Sequence, residues 1–161
     1  LISPKRPDKI LLVEVSSLEK FLNNQFNSLY GFSYVLIPDE LQASQVCLDS
    51  ISSLLLEYKD LIKDFLENKD VSQEIKIHLH RFVYNLCKKR NVQLPALNVE
   101  QNNYMPFYEL DIEKRSIIYL RDRSQFLLSE IEAIVDKRNY EIINSYELAK
   151  NLVQNKGVLY S

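Results

Sequence analysis

The sequence predicts an α+β fold, with an N-terminal βαβ unit, a long antiparallel αα-hairpin and a C-terminal ββαβαβ mixed sheet. Three observations predict it. Two short apolar runs, ILLVEV at 10–15 and FSYVLIP at 32–38, are rich in β-branched and aromatic residues, as buried strands are. Between 39 and 91 the apolar residues recur at helical spacing. Finally, FYELDIEKRSIIYL at 107–120 sets Glu109, Asp111 and Glu113 at alternate positions, and in a strand alternate residues share a face.

In chain order, residues 1–9 read as a flexible leader before a single domain over 10–161. After the first strand, Ser16 or Ser17 is placed to cap a helix with Leu18, Phe21, Leu22, Phe26 and Leu29 on one face. Gly31 ends that helix and Pro38 stops the second strand. The helical hairpin covers about 39–91. In its first arm Leu41, Leu48, Leu55 and Ile62 repeat every seven residues, with Ile51, Tyr58 and Phe65 between them, which is the spacing of a coiled-coil seam. ENKD at 67–70 breaks the pattern, and Asp70 with Gln73 has the form of a capping box. The second arm carries Val71, Ile75, Leu79, Phe82, Val83 and Leu86 on one face, and the two seams are expected to bury each other. The alternative reserves Leu54, Leu56 or Leu61 for a partner.

A polar connector over about 95–106, bounded by Pro95 and Pro106, leads to the 107–121 hairpin. With Glu113, Lys114 and Arg115 as its loop, Leu110 and Ile118 gather on one face, and Glu109, Asp111, Ile117, Tyr119 and Arg121 on the other. Ser124 then caps a helix with Leu127, Leu128, Ile131, Ile134 and Val135 as its buried stripe. A strand at 140–143, a helix from Ser145 to about Gln154 and a last strand at 158–160 complete the prediction.

From Lys9 to Ile37 the run KILLVEV, an amphipathic helix and GFSYVLI resemble the opening of a response-regulator receiver domain. The acidic pair of that family is missing where Val15 and Ser16 stand, and no phospho-acceptor strand follows, so the resemblance implies no activity.

Composition narrows the chemistry. Gly31 and Gly157 are the only glycines, too few for a P-loop or a dinucleotide fingerprint. His78 and His80 are the only histidines, and two residues apart on a helix they point in different directions and cannot share a metal. Neither stands near a nucleophile motif, and His80 is expected on a polar or half-buried helix face. Cys47 and Cys87 lie on opposite hairpin arms and read as reduced, buried thiols. No cofactor and no metal site are expected. No apolar run approaches the ~18 residues of a membrane span, so no membrane partner is expected either. Opening on Leu1 rather than Met, the chain reads as a piece of a longer intracellular protein of the nucleus or cytoplasm.

The leading expectation is therefore a non-catalytic protein–protein interaction domain, docking a partner in an assembly. Ile117, Tyr119 and Arg121, left on the wet face of the hairpin, are its candidate interface. A homodimer through the heptad-spaced helix is open. Charge is segregated, with three Lys/Arg against nine Asp/Glu over 31–75, and with Lys76, Arg81, Lys88, Lys89 and Arg90 but no acid over 76–98. The basic end Lys88, Lys89 and Arg90 supports a second expectation, a nucleic-acid-binding module, although the same residues complement a helix C-terminus. A third reading resembles the magnesium-dependent nucleases, with Glu14, Glu109 and Asp111 as oxygen ligands beside Lys114. SPKR at 3–6 makes Ser3 a candidate phosphorylation site.

Overall fold

The computed structural model describes residues 5–91 and 105–155, and every element among them is helical. In order these are α1 (Lys5–Leu36), α2 (Glu40–Glu57), α3 (Lys59–Leu66), α4 (Ser72–Asn91), α5 (Met105–Tyr108), α6 (Ile112–Ile118), α7 (Leu128–Val135) and α8 (Asn139–Asn155). A five-residue π turn, Tyr119–Arg123, continues α6. The fold is all-α, not α+β. No strand occurs among the described residues, and Ser3, most of the connector and the strand expected at 158–160 lie outside them.

Each strand expected within the described residues is replaced by helix for a physical reason. Residues 10–15 belong to α1, which starts at Lys5 within the expected leader and runs without interruption to Leu36. Their β-branched residues cost a helix only ~0.5 kcal/mol each, which a long buried stripe offsets. That stripe is Leu18, Leu22, Leu29, Phe32 and Leu36. A strand over 32–38 would put Phe32, Tyr34 and Leu36 on one face, yet Tyr34 is exposed while Phe32, Ser33, Leu36 and Ile37 are buried, which is helical spacing. Pro38 ends α1 by disfavouring the helical conformation of the residue before it. Gly31 is no cap; it sits inside α1 because another side chain occupies the place of its Cβ.

The 107–121 hairpin is absent too. Asp111 is the N-cap of α6, accepting the Lys114 backbone N–H at 2.8 Å and the Lys114 Nζ at 2.7 Å. A residue able to cap a helix competes with a strand, and here the cap prevails because α6 buries Arg115, Ser116, Ile117 and Ile118 together. The strand expected at 140–143 is the start of α8, which buries Ile142, Ala149 and Val153 at helical intervals and leaves Ile143 exposed. Ser145 lies within α8 rather than at its start.

The helical expectations fare better. α4 buries Ile75, Leu79 and Val83 as read from the sequence, although Gln73 bonds Glu130 at 2.7 Å instead of closing a capping box. α7 buries Ile131, Ile134 and Val135 but exposes Leu127, whose N–H is received by Glu130 at 2.8 Å. α4 is the central element, packed on α1, α2 and α7, while α6 joins α1 to α8. His80 on α4 is fully buried, between the Phe32 and Phe126 rings, rather than half-buried.

Arg115 holds the two halves of the chain together. Its buried guanidinium donates to the carbonyls of Val35 at 3.0 Å and Leu36 at 2.9 Å, the last turn of α1, and to those of Tyr108 and Leu110 just before α6. Those α1 carbonyls have no partner within the helix, so a cation at the negative end of the dipole satisfies both needs.

Candidate protein-docking surface

α2 is built to bury one side only. Asp39 caps it, accepting the Gln42 N–H at 2.8 Å, and Ala43, Val46, Cys47, Ser50 and Leu54 face the core. The heptad series lies on the other side. Leu41 is 77% exposed, Leu48 51%, Leu55 39% and the neighbouring Leu56 71%. The seam expected to pack inside the hairpin thus points away from it, and of the three leucines weighed for a partner, Leu54 and Leu61 are buried and Leu56 is open. The helix also breaks at Tyr58, whose ring packs on His78 at 4.1 Å, so α3 turns its own apolar face elsewhere.

Two flanks bound this leucine ridge. On the α4 side Arg90 pairs with Asp49 at 2.7 Å and with Gln42 at 3.1 Å. On the α1 side Phe26, Tyr30 and Tyr34 stack in series at 6.4 and 6.0 Å between ring centres. Burial, then the neighbouring Glu40 carboxylate, raises the Tyr30 hydroxyl above its usual pKa. From Asp39 to Tyr58 the chain carries Asp39, Glu40, Asp49 and Glu57 and no Lys or Arg. The ridge is apolar with an acidic surround.

The residues singled out in the sequence do not assemble into one site. Ile117 is fully buried, Tyr119 is half-buried against the Phe32 ring at 5.7 Å, and Arg121 is exposed over the Tyr146 ring at 4.2 Å. They sit on successive turns of α6 and the π turn, so Ile117 offers a partner no surface. Lys88 lies over the Tyr84 ring at 5.0 Å and Lys89 is exposed, but Arg90 is occupied by Asp49. Asp111 has both carboxylate oxygens on Lys114; burial raises its pKa, and the Lys114 hydrogen bonds outweigh that and hold it below the usual carboxylate range. Glu109 is exposed in the turn before α6, and the side chain of Glu14 lies outside the described residues. No group of three or more His, Cys, Asp or Glu side chains is arranged to hold a metal among the described residues. No helix among them is long and apolar enough to cross a membrane.

No protein-family model, curated protein or solved structure matches the chain. The surface therefore has to be read from its own residues. Sequence reasoning found the heptad but assigned it inward. One signal could have turned it outward: Ala43, Val46, Cys47, Ser50 and Leu54 form a second stripe with the small residues that close helix packing needs, and two stripes on one helix cannot both face the same neighbour.

Proposed function

We propose that this chain is a non-catalytic, all-α interaction domain of a larger nuclear or cytoplasmic protein, docking a partner protein through the outward face of α2. One observation carries the reading. Leu41, Leu48 and Leu55 keep strict seven-residue spacing on the side of α2 that faces away from the core. Scattered exposed leucines need no explanation, but a regular seam of them is the pattern by which one helix receives another. The nucleic-acid reading retains Lys88 and Lys89 as exposed cations without Arg90 and has less behind it.

The test is a comparison of proteins retained by the immobilised chain and by its Leu48→Gln variant. A specific protein held by the first and lost with the second supports the reading. Metal-dependent hydrolysis of nucleic acid or ester substrates that disappears in Asp111→Ala overturns it.

A further inference from the structure

We infer that the outward face of α4 is a second binding surface, distinct from the α2 ridge, that takes the phosphate backbone of a nucleic-acid duplex through Arg81, Lys88 and Lys89, with Asn85 among them. Arg81, Asn85 and Lys88 stand at i, i+4 and i+7, a single stripe, and Lys89 borders it; all four are exposed. The opposite side of the helix is the core side, with Ile75, Leu79, Val83 and Cys87. From Ile75 to Asn91 α4 carries no acid. Arg90, next to Lys89 in the chain, turns instead to α2 and is held by Asp49 and Gln42. Arg81, Lys88 and Lys89 form no ion pair with a described carboxylate. Lys88 lies over the Tyr84 ring at 5.0 Å, a contact that leaves its charge in place. The carboxylates bordering the face are Glu74, with His78 between it and Arg81, and Glu113, across Tyr84. A helix dipole accounts for Lys88 and Lys89 in the last turn but not for Arg81 at mid-helix.

The chemistry of the partner follows from what this face lacks. No large apolar side chain of α4 is exposed among the described residues, whereas a protein interface is built around a desolvated apolar or aromatic anchor. A phosphate backbone asks only for Arg, Lys and Asn donors. Nor does the stripe present an exposed aromatic ring, the platform on which the bases of a single strand stack, so the occupant is a duplex. Arg81 to Lys88 spans ~10.5 Å along the helix axis, about three steps of a B-form strand at ~3.4 Å each. Contacts of this kind position a protein without reading base edges, so binding is independent of sequence.

The probe is a fluorescent DNA duplex of about 20 base pairs, and its binding to the full chain is followed by anisotropy as salt is raised. Three phosphate contacts predict a slope of about −2.7 for the logarithm of affinity against that of salt, a loss of about 40-fold between ~50 and ~200 mM, the same for two unrelated duplex sequences. Arg81→Gln alone is expected to reduce the slope to about −1.8. Arg81→Gln, Lys88→Gln and Lys89→Gln together are expected to abolish binding with an unchanged circular dichroism spectrum, since all three side chains are exposed. A control carrying Lys20→Gln, Lys63→Gln and Arg138→Gln, exposed cations elsewhere on the surface, removes the same net charge and is expected to bind as the parent does. No binding at low salt, a slope that survives in the α4 triple variant, or an equal loss in the control overturns the inference. Polyglutamate that displaces the duplex and binds more tightly than it also overturns it, by assigning the face to an acidic protein segment.

Discussion

The phenol oxygen of Tyr119, in the π turn, lies 2.6 Å from the place a Cβ would take on Gly31, in the penultimate turn of α1. A glycine inside a helix normally costs about 1 kcal/mol relative to alanine, and this one is explained by close approach rather than by a turn. The π turn supplies the approach: its extra residue per turn, closed by the Ser124 N–H on the Tyr119 carbonyl at 2.9 Å, swings the ring onto α1 and over Phe32.

Gly31→Ala is therefore expected to destabilise the protein by about 1–2 kcal/mol, because overpacking exceeds the gain in helix propensity. In a Tyr119→Phe background the nearest ring carbon stands at 3.8 Å, an ordinary contact, and the same substitution should become neutral or stabilising by up to about 1 kcal/mol. Denaturant melts of the four proteins form a double-mutant cycle. Equal effects of Gly31→Ala in both backgrounds would refute the close approach.

Arg115→Lys should be far from conservative. A lysine cannot reach four carbonyls on two segments with one ammonium, so several are left buried without a donor, at about 1–3 kcal/mol each. A loss of roughly 3 kcal/mol or more is expected, with hydrogen exchange first rising in the last turn of α1 and at 108–112. A variant as stable as the parent would contradict the role given to this guanidinium.

Stability is expected to fall in acid through His80. Burial drives its pKa down from 6.5 to about 4, against a smaller upward pull from its hydrogen bond with the Lys76 carbonyl at 2.7 Å. The folded protein keeps this ring neutral while the unfolded chain protonates it below about 6.5. The contribution is thus complete above pH 6.5, declines between about 6.5 and 4, and is gone below that, a change of roughly 3 kcal/mol. His78, half-buried and also shifted down by burial, adds a smaller drift in the same sense. His80→Met, which also removes the Nε2 left without a hydrogen-bond partner among the described residues, should flatten most of this slope. Matching slopes in parent and variant would show that carboxylates, not His80, govern the acid limb.

Cys47 and Cys87 should be inert in the folded protein. Burial, then the neighbouring Cys87, pushes Cys47 up to about 12; burial pushes Cys87 up to about 11, against a downward pull first from Ser33, whose Oγ lies 3.8 Å from its Sγ. Reaction needs the thiolate, so labelling with a maleimide at neutral pH should proceed only at the rate of opening and accelerate on unfolding. Rapid labelling of either cysteine in the native protein would contradict their burial between α1, α2 and α4.

Asp111→Ala should cost about 1 kcal/mol, the worth of a helix N-cap, and Asp111→Asn much less, since asparagine also caps. Thermal melts of the two variants separate this capping role from a requirement for negative charge. An asparagine variant as unstable as the alanine one would assign the effect to the ion pair with Lys114 instead.

By itself the sequence determined where helices with a strong period lie: the apolar faces of α4 and α7, the interruption at 67–70 and the buried cysteines. It also held the heptad of α2 in full view. It could not decide between strand and helix for ILLVEV, FSYVLIP, FYELDIEKRSIIYL or YEII, because short apolar or alternating runs carry both periods within a few residues. Tertiary contacts decided them. α1 takes in FSYVLIP because its buried stripe runs at helical spacing from Leu18 to Leu36, α6 exists because Asp111 caps it and Arg115 ties it to the carbonyls of Val35 and Leu36, and Gly31 stands inside α1 where the Tyr119 ring comes too close for a Cβ. The direction of the heptad was decided in the same way. Periodicity puts Leu41, Leu48 and Leu55 on one line, but which side of a helix meets the core depends on what packs there. The small residues Ala43, Cys47 and Ser50 let α1 and α4 approach α2 closely and left the leucines outside.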